Sequence, residues 1–76
     1  MNRERRKKIM NIHDELENVV CKLNDILDDE QMAFDSMPEG LQSSQRGEDS
    51  EESIDNMSEA IEYIERAIEM LDDICI

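Results

Sequence analysis

From Ile9 the apolar residues fall at Ile9, Ile12, Leu16, Val19, Leu23 and Ile26, in alternating steps of three and four. That spacing is the a/d pattern of a heptad and lays the side chains along one side of a helix. A second column, His13, Val20, Leu27 and Phe34, lies beside it at the e position. The stripe is wider than a two-stranded seam and suits a helix with more than one neighbour. No Pro or Gly interrupts residues 2–33. The pattern predicts a helix from Arg3 to Ala33.

The spacing returns with Ile54, Met57, Ile61, Ile64, Ile68, Leu71 and Cys75. Here the flanking column is g, occupied by Ala60, Ala67 and Ile74, and small residues there permit close helix approach. A second helix is expected from Asp49 to Ile74. Tyr63 and Met70 lie seven apart at c, next to the alanines. They read either as scattered surface residues or as part of a second contact surface.

Between the helices, residues 34–48 hold the only Pro and both Gly. Ser36-Met37-Pro38-Glu39 has the form of a capping box, with Ser36 as N-cap and Glu39 as its partner. A short helical turn from Met37 to Gln42 is expected, anchored by Leu41. The second helix has N-cap candidates from Ser44 to Ser50. A plain hairpin needs about 2–8 connecting residues, and this connection is longer. The expected fold is all-α: one domain of residues 1–76, an antiparallel helical hairpin that assembles as a four-helix-bundle dimer or a higher homo-oligomer. The expected oligomer interface comprises Val20, Leu27, Ala60, Tyr63, Ala67 and Met70.

Charge sharpens this picture. The formal net charge is -13, yet five of the eight Lys and Arg fall within residues 3–8: Arg3, Arg5, Arg6, Lys7 and Lys8. Only Lys22, Arg46 and Arg66 follow. So acidic a body repels nucleic acid and anionic membrane. In an antiparallel hairpin the basic head lies near Glu69, Asp72 and Asp73. Each group stands at the wrong end for its own helix dipole, and side by side they offset one another. No apolar run reaches transmembrane length and no signal-peptide core follows the basic start. The expectation is a soluble, cytoplasmic protein. Cys21 and Cys75 fit reduced thiols packed as small hydrophobes, because mid-helix and end-of-helix positions disfavour a bridge.

Candidate chemistry is sparse. His13 is the only His. It has Glu17 one turn later, but neither H-E-x-x-H nor Glu-x-x-His occurs, so a di-iron bundle site is not expected. The carboxylate runs at residues 28–30 and 48–52 lack calcium-loop spacing. No enzyme, metal or cofactor is expected. The connection remains. Phe34, Pro38, Leu41, Gln42, Ser43, Ser44, Arg46 and Gly47 form the candidate ligand- or partner-binding set. Free N–H groups at a helix start, serine hydroxyls and Arg46 suit an anionic group. Gly47 permits close approach of a ligand or a neighbouring backbone. The alternative is a structured turn that only closes the bundle.

The run from Asp29 to Glu48, DEQMAFDSMPEGLQSSQRGE, with the Ala60-Ile61-Glu62 spacing after it, resembles a group of small uncharacterised proteins of Gram-positive bacteria and their phages. Their pattern is close to D-E-Q-x-A-[FY]-D-x-M-P-E-x-L-Q-x-S-x-R-G-E, and the group commonly has Asn or Ser where Gly40 stands. The resemblance covers most of the chain and implies a phage or mobile-element origin and a small helical oligomer. It transfers no activity. The leading expectation is therefore a non-enzymatic binding protein, a phage-derived modulator or inhibitor of a host defence process, acting through its oligomer and central loop. Its partners would be itself, then a host protein or a small anionic ligand. Three alternatives stand: a sponge for a nucleotide-type signal, an acidic DNA mimic, and a structural assembly module.

Overall fold

The computed structural model describes residues 1–75. Helix α1 spans Arg3–Asp35, the single-turn helix α2 spans Glu39–Gln42, and α3 spans Gln45–Cys75. α1 begins at an Asn2 cap, whose Oδ1 accepts from the Arg5 N–H at 2.9 Å. It runs two residues beyond the expected Ala33. At its far end the Ser36 N–H donates to the Met32 carbonyl and the Met37 N–H to the Phe34 carbonyl. Ser36 thus closes α1 and does not open α2. The N-cap of α2 is Pro38, with no side-chain cap, so the expected capping box does not form. The physical reason is backbone conformation: as the C-cap of α1, Ser36 holds helical angles of φ -85° and ψ -8°, whereas an N-cap needs extended backbone.

α3 starts at Gln45, four residues before the expected Asp49, and carries Gly47 inside its first turn. Its opening is set by the Glu48 N–H donating to the Ser44 carbonyl at 2.9 Å. A helical glycine costs about 0.5–1 kcal/mol, and close packing at this position offsets that cost. A Cβ on Gly47 would collide with the backbone carbonyls of Leu41 and Gln42.

α1 and α3 pack along their length as an antiparallel hairpin, in a rod of 58 × 15 × 13 Å. The register is read from three cross-helix contacts: Arg6 with Cys75, His13 with Asp72, and Glu30 with Ser50. The seam of α3 is the expected one. Ile54, Met57, Ile61, Ile64, Ile68, Leu71 and Cys75 all lie buried or half-buried.

The seam of α1 is rotated from its expected place. Ile9, His13, Leu16, Val20, Leu23, Leu27, Glu30 and Phe34 point toward α3, in steps of four and three. The d column is left outside: Ile12 is 51% exposed, Val19 40% and Ile26 54%. Three anchors fix this rotation. His13 meets Asp72 and Glu30 meets Ser50. The Phe34 carbonyl accepts from Gln42 Nε2 at 3.0 Å. Val20 and Leu27, expected at an oligomer interface, are therefore half-buried within the hairpin itself.

Candidate functional site

The connection between the helices is tightly self-bonded. Leu41 and Gln42 both donate their N–H to the Pro38 carbonyl, and Ser44 donates to Leu41. The Ser43 hydroxyl donates to the Glu39 carbonyl and the Ser44 hydroxyl to the Leu41 carbonyl. Both hydroxyl protons are thereby engaged with backbone. The backbone that Gly47 admits is that of α2. Phe34 is half-buried, Pro38 is exposed, and Leu41 is 43% exposed.

Arg46 is exposed on the first turn of α3. It borders a shallow depression of about 280 Å³ shared with Glu30, Ala33, Met37, Asp49 and Ser50. Ser50 is buried, and its Oγ donates to Glu30 Oε1 at 2.6 Å. Two carboxylates against one guanidinium leave this depression negative, which opposes an anionic ligand. The structure therefore brings Arg46 near acids, and does not gather Arg46, Ser43 and Ser44 into one donor set.

A polar cluster lies at the other end, where Asp14 and Asp72 join the His13 and Glu17 pair that the spacing placed one turn apart. His13 is 7% exposed. Its Nδ1 lies 3.1 Å from Asp14 Oδ1 and 3.3 Å from Glu17 Oε1, and its Nε2 lies 2.8 Å from Asp72 Oδ1. The Asp72 contact is out of line for a hydrogen bond, so it acts through charge. The His13 pKa is raised above its ordinary 6.5. The hydrogen bond that His13 donates to Asp14 contributes most; burial opposes it, and the charges of Asp72, Glu17 and Asp14 add to the rise. An imidazolium satisfies this arrangement by pairing with carboxylates from both long helices. Asp14 is the histidine's neighbour in sequence, and only the cross-helix partner, Asp72, needed the register to be known.

The expected offset of the basic head by the acidic end of α3 takes another form. Among the described residues every ion pair within 4.0 Å involves His13. No Lys or Arg of the described chain has an intrachain carboxylate partner at that distance.

The two sides of the hairpin differ. On one side, a groove of about 320 Å³ between the helices has Val20 and Ile68 at its floor and Glu17, Glu65 and Glu69 at its rim. The other side is apolar. At about 100° per residue, the Ile12, Val19 and Ile26 column of α1 and the Ala60, Ala67 and Ile74 column of α3 lie in the same rotational sense from their seams. Antiparallel packing brings both to the same side. Ala60 and Ala67 are exposed, Ile74 is 41% exposed, and Tyr63 and Met70 flank them at 66% and 62%.

Cys21 and Cys75 are free thiols. No helix of the described residues is long and apolar enough to cross a membrane. No family model, curated protein or solved structure matches the chain.

Proposed function

We propose that this chain is a non-enzymatic binding protein that works in the cytoplasm as a homo-oligomer, two hairpins closing into a four-helix bundle. The observation that carries this reading is the apolar side of the hairpin. Ile12, Val19, Ile26 and Ile74 stand in water on one continuous face, where each would gain about 25 cal/mol per Å² by being covered. Free thiols accord with a reducing compartment.

The turn end then remains for a partner of another kind. Arg46 and the half-exposed Leu41 are its available groups, and they suit a protein with an apolar and an acidic contact. A nucleotide-type ligand is less well served, because the serine hydroxyls are spent and Glu30 and Asp49 stand beside Arg46. The resemblance to small phage-borne proteins extends the role to modulation of a host process. Light scattering tests the assembly. It should return twice the chain mass at micromolar concentration, and a monomer across that range overturns the proposal.

A further inference from the structure

The outer flank of the apolar side carries a charge pattern that the single chain leaves unused. Next to the Ile12, Val19 and Ile26 column of α1 runs a column of Lys8, Glu15, Lys22 and Asp29, all exposed. The signs alternate, plus, minus, plus, minus. None of the four has an ion-pair partner among the described residues. Such a column is self-complementary when two copies run in opposite directions: Lys8 meets Asp29 and Glu15 meets Lys22, each pair twice. When the copies run in the same direction, every residue meets its own charge.

The centre of that column falls between Asn18 and Val19. The apolar column beside it centres on Val19, with Ile12 opposite Ile26. On α3 the small-residue column centres between Tyr63 and Ile64, with Ala60 opposite Ala67 and Ser53 opposite Ile74. These centres are set by different residues on different helices. Facing residues across the hairpin have numbers totalling 80 for Glu30 and Ser50, 81 for Arg6 and Cys75, and 85 for His13 and Asp72. Position 19 of α1 therefore lies level with about positions 61–66 of α3. The Tyr63–Ile64 centre falls within that span.

We propose that a second copy of this chain covers the apolar side face to face and antiparallel, α1 on α1 and α3 on α3, with the turns at opposite ends. The two-fold axis passes Val19 and the Tyr63–Ile64 step. This rests on the self-association proposed above and specifies its geometry. Arg5, which continues the Ile12 column, comes opposite Ala33 of the second copy. There it overlies the depression lined by Glu30, Arg46, Asp49 and Ser50, where two carboxylates face one guanidinium. The basic head of each copy thus meets the acidic turn end of the other. A face 58 by 15 Å has room for the roughly 800 Å² per partner that a stable interface buries.

Cysteine cross-linking in the full chain, with Cys21→Ser and Cys75→Ser as background, tests the register. Val19→Cys should oxidise to a disulfide-linked dimer. Ile12→Cys alone should not, since its two copies would lie about 21 Å apart along the rod. A mixture of Ile12→Cys and Ile26→Cys chains should link to each other. Dimers by light scattering in which Val19→Cys fails to link, or links no faster than Ile12→Cys, overturn the antiparallel register and leave self-association standing. Monomers by light scattering remove both.

Charge exchange gives a second readout that leaves the apolar side untouched. Glu15→Lys or Lys22→Glu alone should weaken dimerisation on the order of tenfold. The double variant should return to within about threefold of the parent. Single variants that dimerise like the parent overturn the proposal.

Discussion

Gly47 sits directly against the Gln42 carbonyl, so close that no Cβ fits between them. This one contact seats the short helix α2 on the first turn of α3. The obstacle is backbone, which cannot swing aside as a side chain would. Gly47→Ala should therefore lose about 1–2 kcal/mol net, the clash exceeding the helix-propensity gain. Urea unfolding at fixed protein concentration measures it.

Gly40 is the opposite case. Nothing lies within 4 Å of a Cβ built there, and its φ is not positive. Gly40→Ala should stabilise the fold by about 0.4–1 kcal/mol, by narrowing the unfolded ensemble. The same unfolding experiment should move its midpoint upward, with the slope unchanged.

Ser50 supplies the hydrogen bond that Glu30 receives inside the hairpin. Removing the hydroxyl leaves a half-buried carboxylate without it. Ser50→Ala should cost about 1–3 kcal/mol, and Glu30→Gln in the same chain should recover part of the loss, which a double-mutant cycle would read.

His13 makes stability depend on pH. Its folded-state pKa is raised above 6.5, so the folded state holds the proton more tightly than the unfolded one. The stabilisation is fully present below about pH 6.5 and is lost as pH rises through the folded-state value. Thermal unfolding should give a higher midpoint at pH 6 than at pH 8, and His13→Gln should flatten that difference.

Arg46 is exposed and has no ion pair among the described residues. Arg46→Ala should leave stability within about 0.5 kcal/mol of the parent. Any loss of partner binding in that variant would then report on recognition and not on folding, which isothermal titration against a purified partner can separate from a stability scan.

The heptad steps made both long helices legible, along with the whole α3 seam, because one-sided burial imposes that period. The rotation of α1 was not legible. Its a, d and e columns are apolar but for Glu30 and His13, so periodicity alone leaves two neighbouring pairs of columns equally good as the seam. Polar contacts decide between them: His13 with Asp72, Glu30 with Ser50, and Gln42 with the Phe34 carbonyl. Each joins residues at least eight apart in the chain. The turn was legible as a turn, but not its bonding. Ser36, Ser43 and Ser44 suited several caps, and the carbonyl each one meets depends on where α1 stops. The exposure of Ile12, Val19 and Ile26 follows from the same rotation and could not precede it.

Ile61 is the one apolar side chain among the described residues that the hairpin buries. A rod one side chain deep has almost no interior of its own. If its remaining hydrophobic cover comes from a second copy, folding becomes a second-order event, and the melting temperature climbs with the logarithm of concentration. Dilute chains would then live as loose peptide open to proteases, and abundant chains as bundle. The amount made in a cell would act as a threshold for having the protein at all.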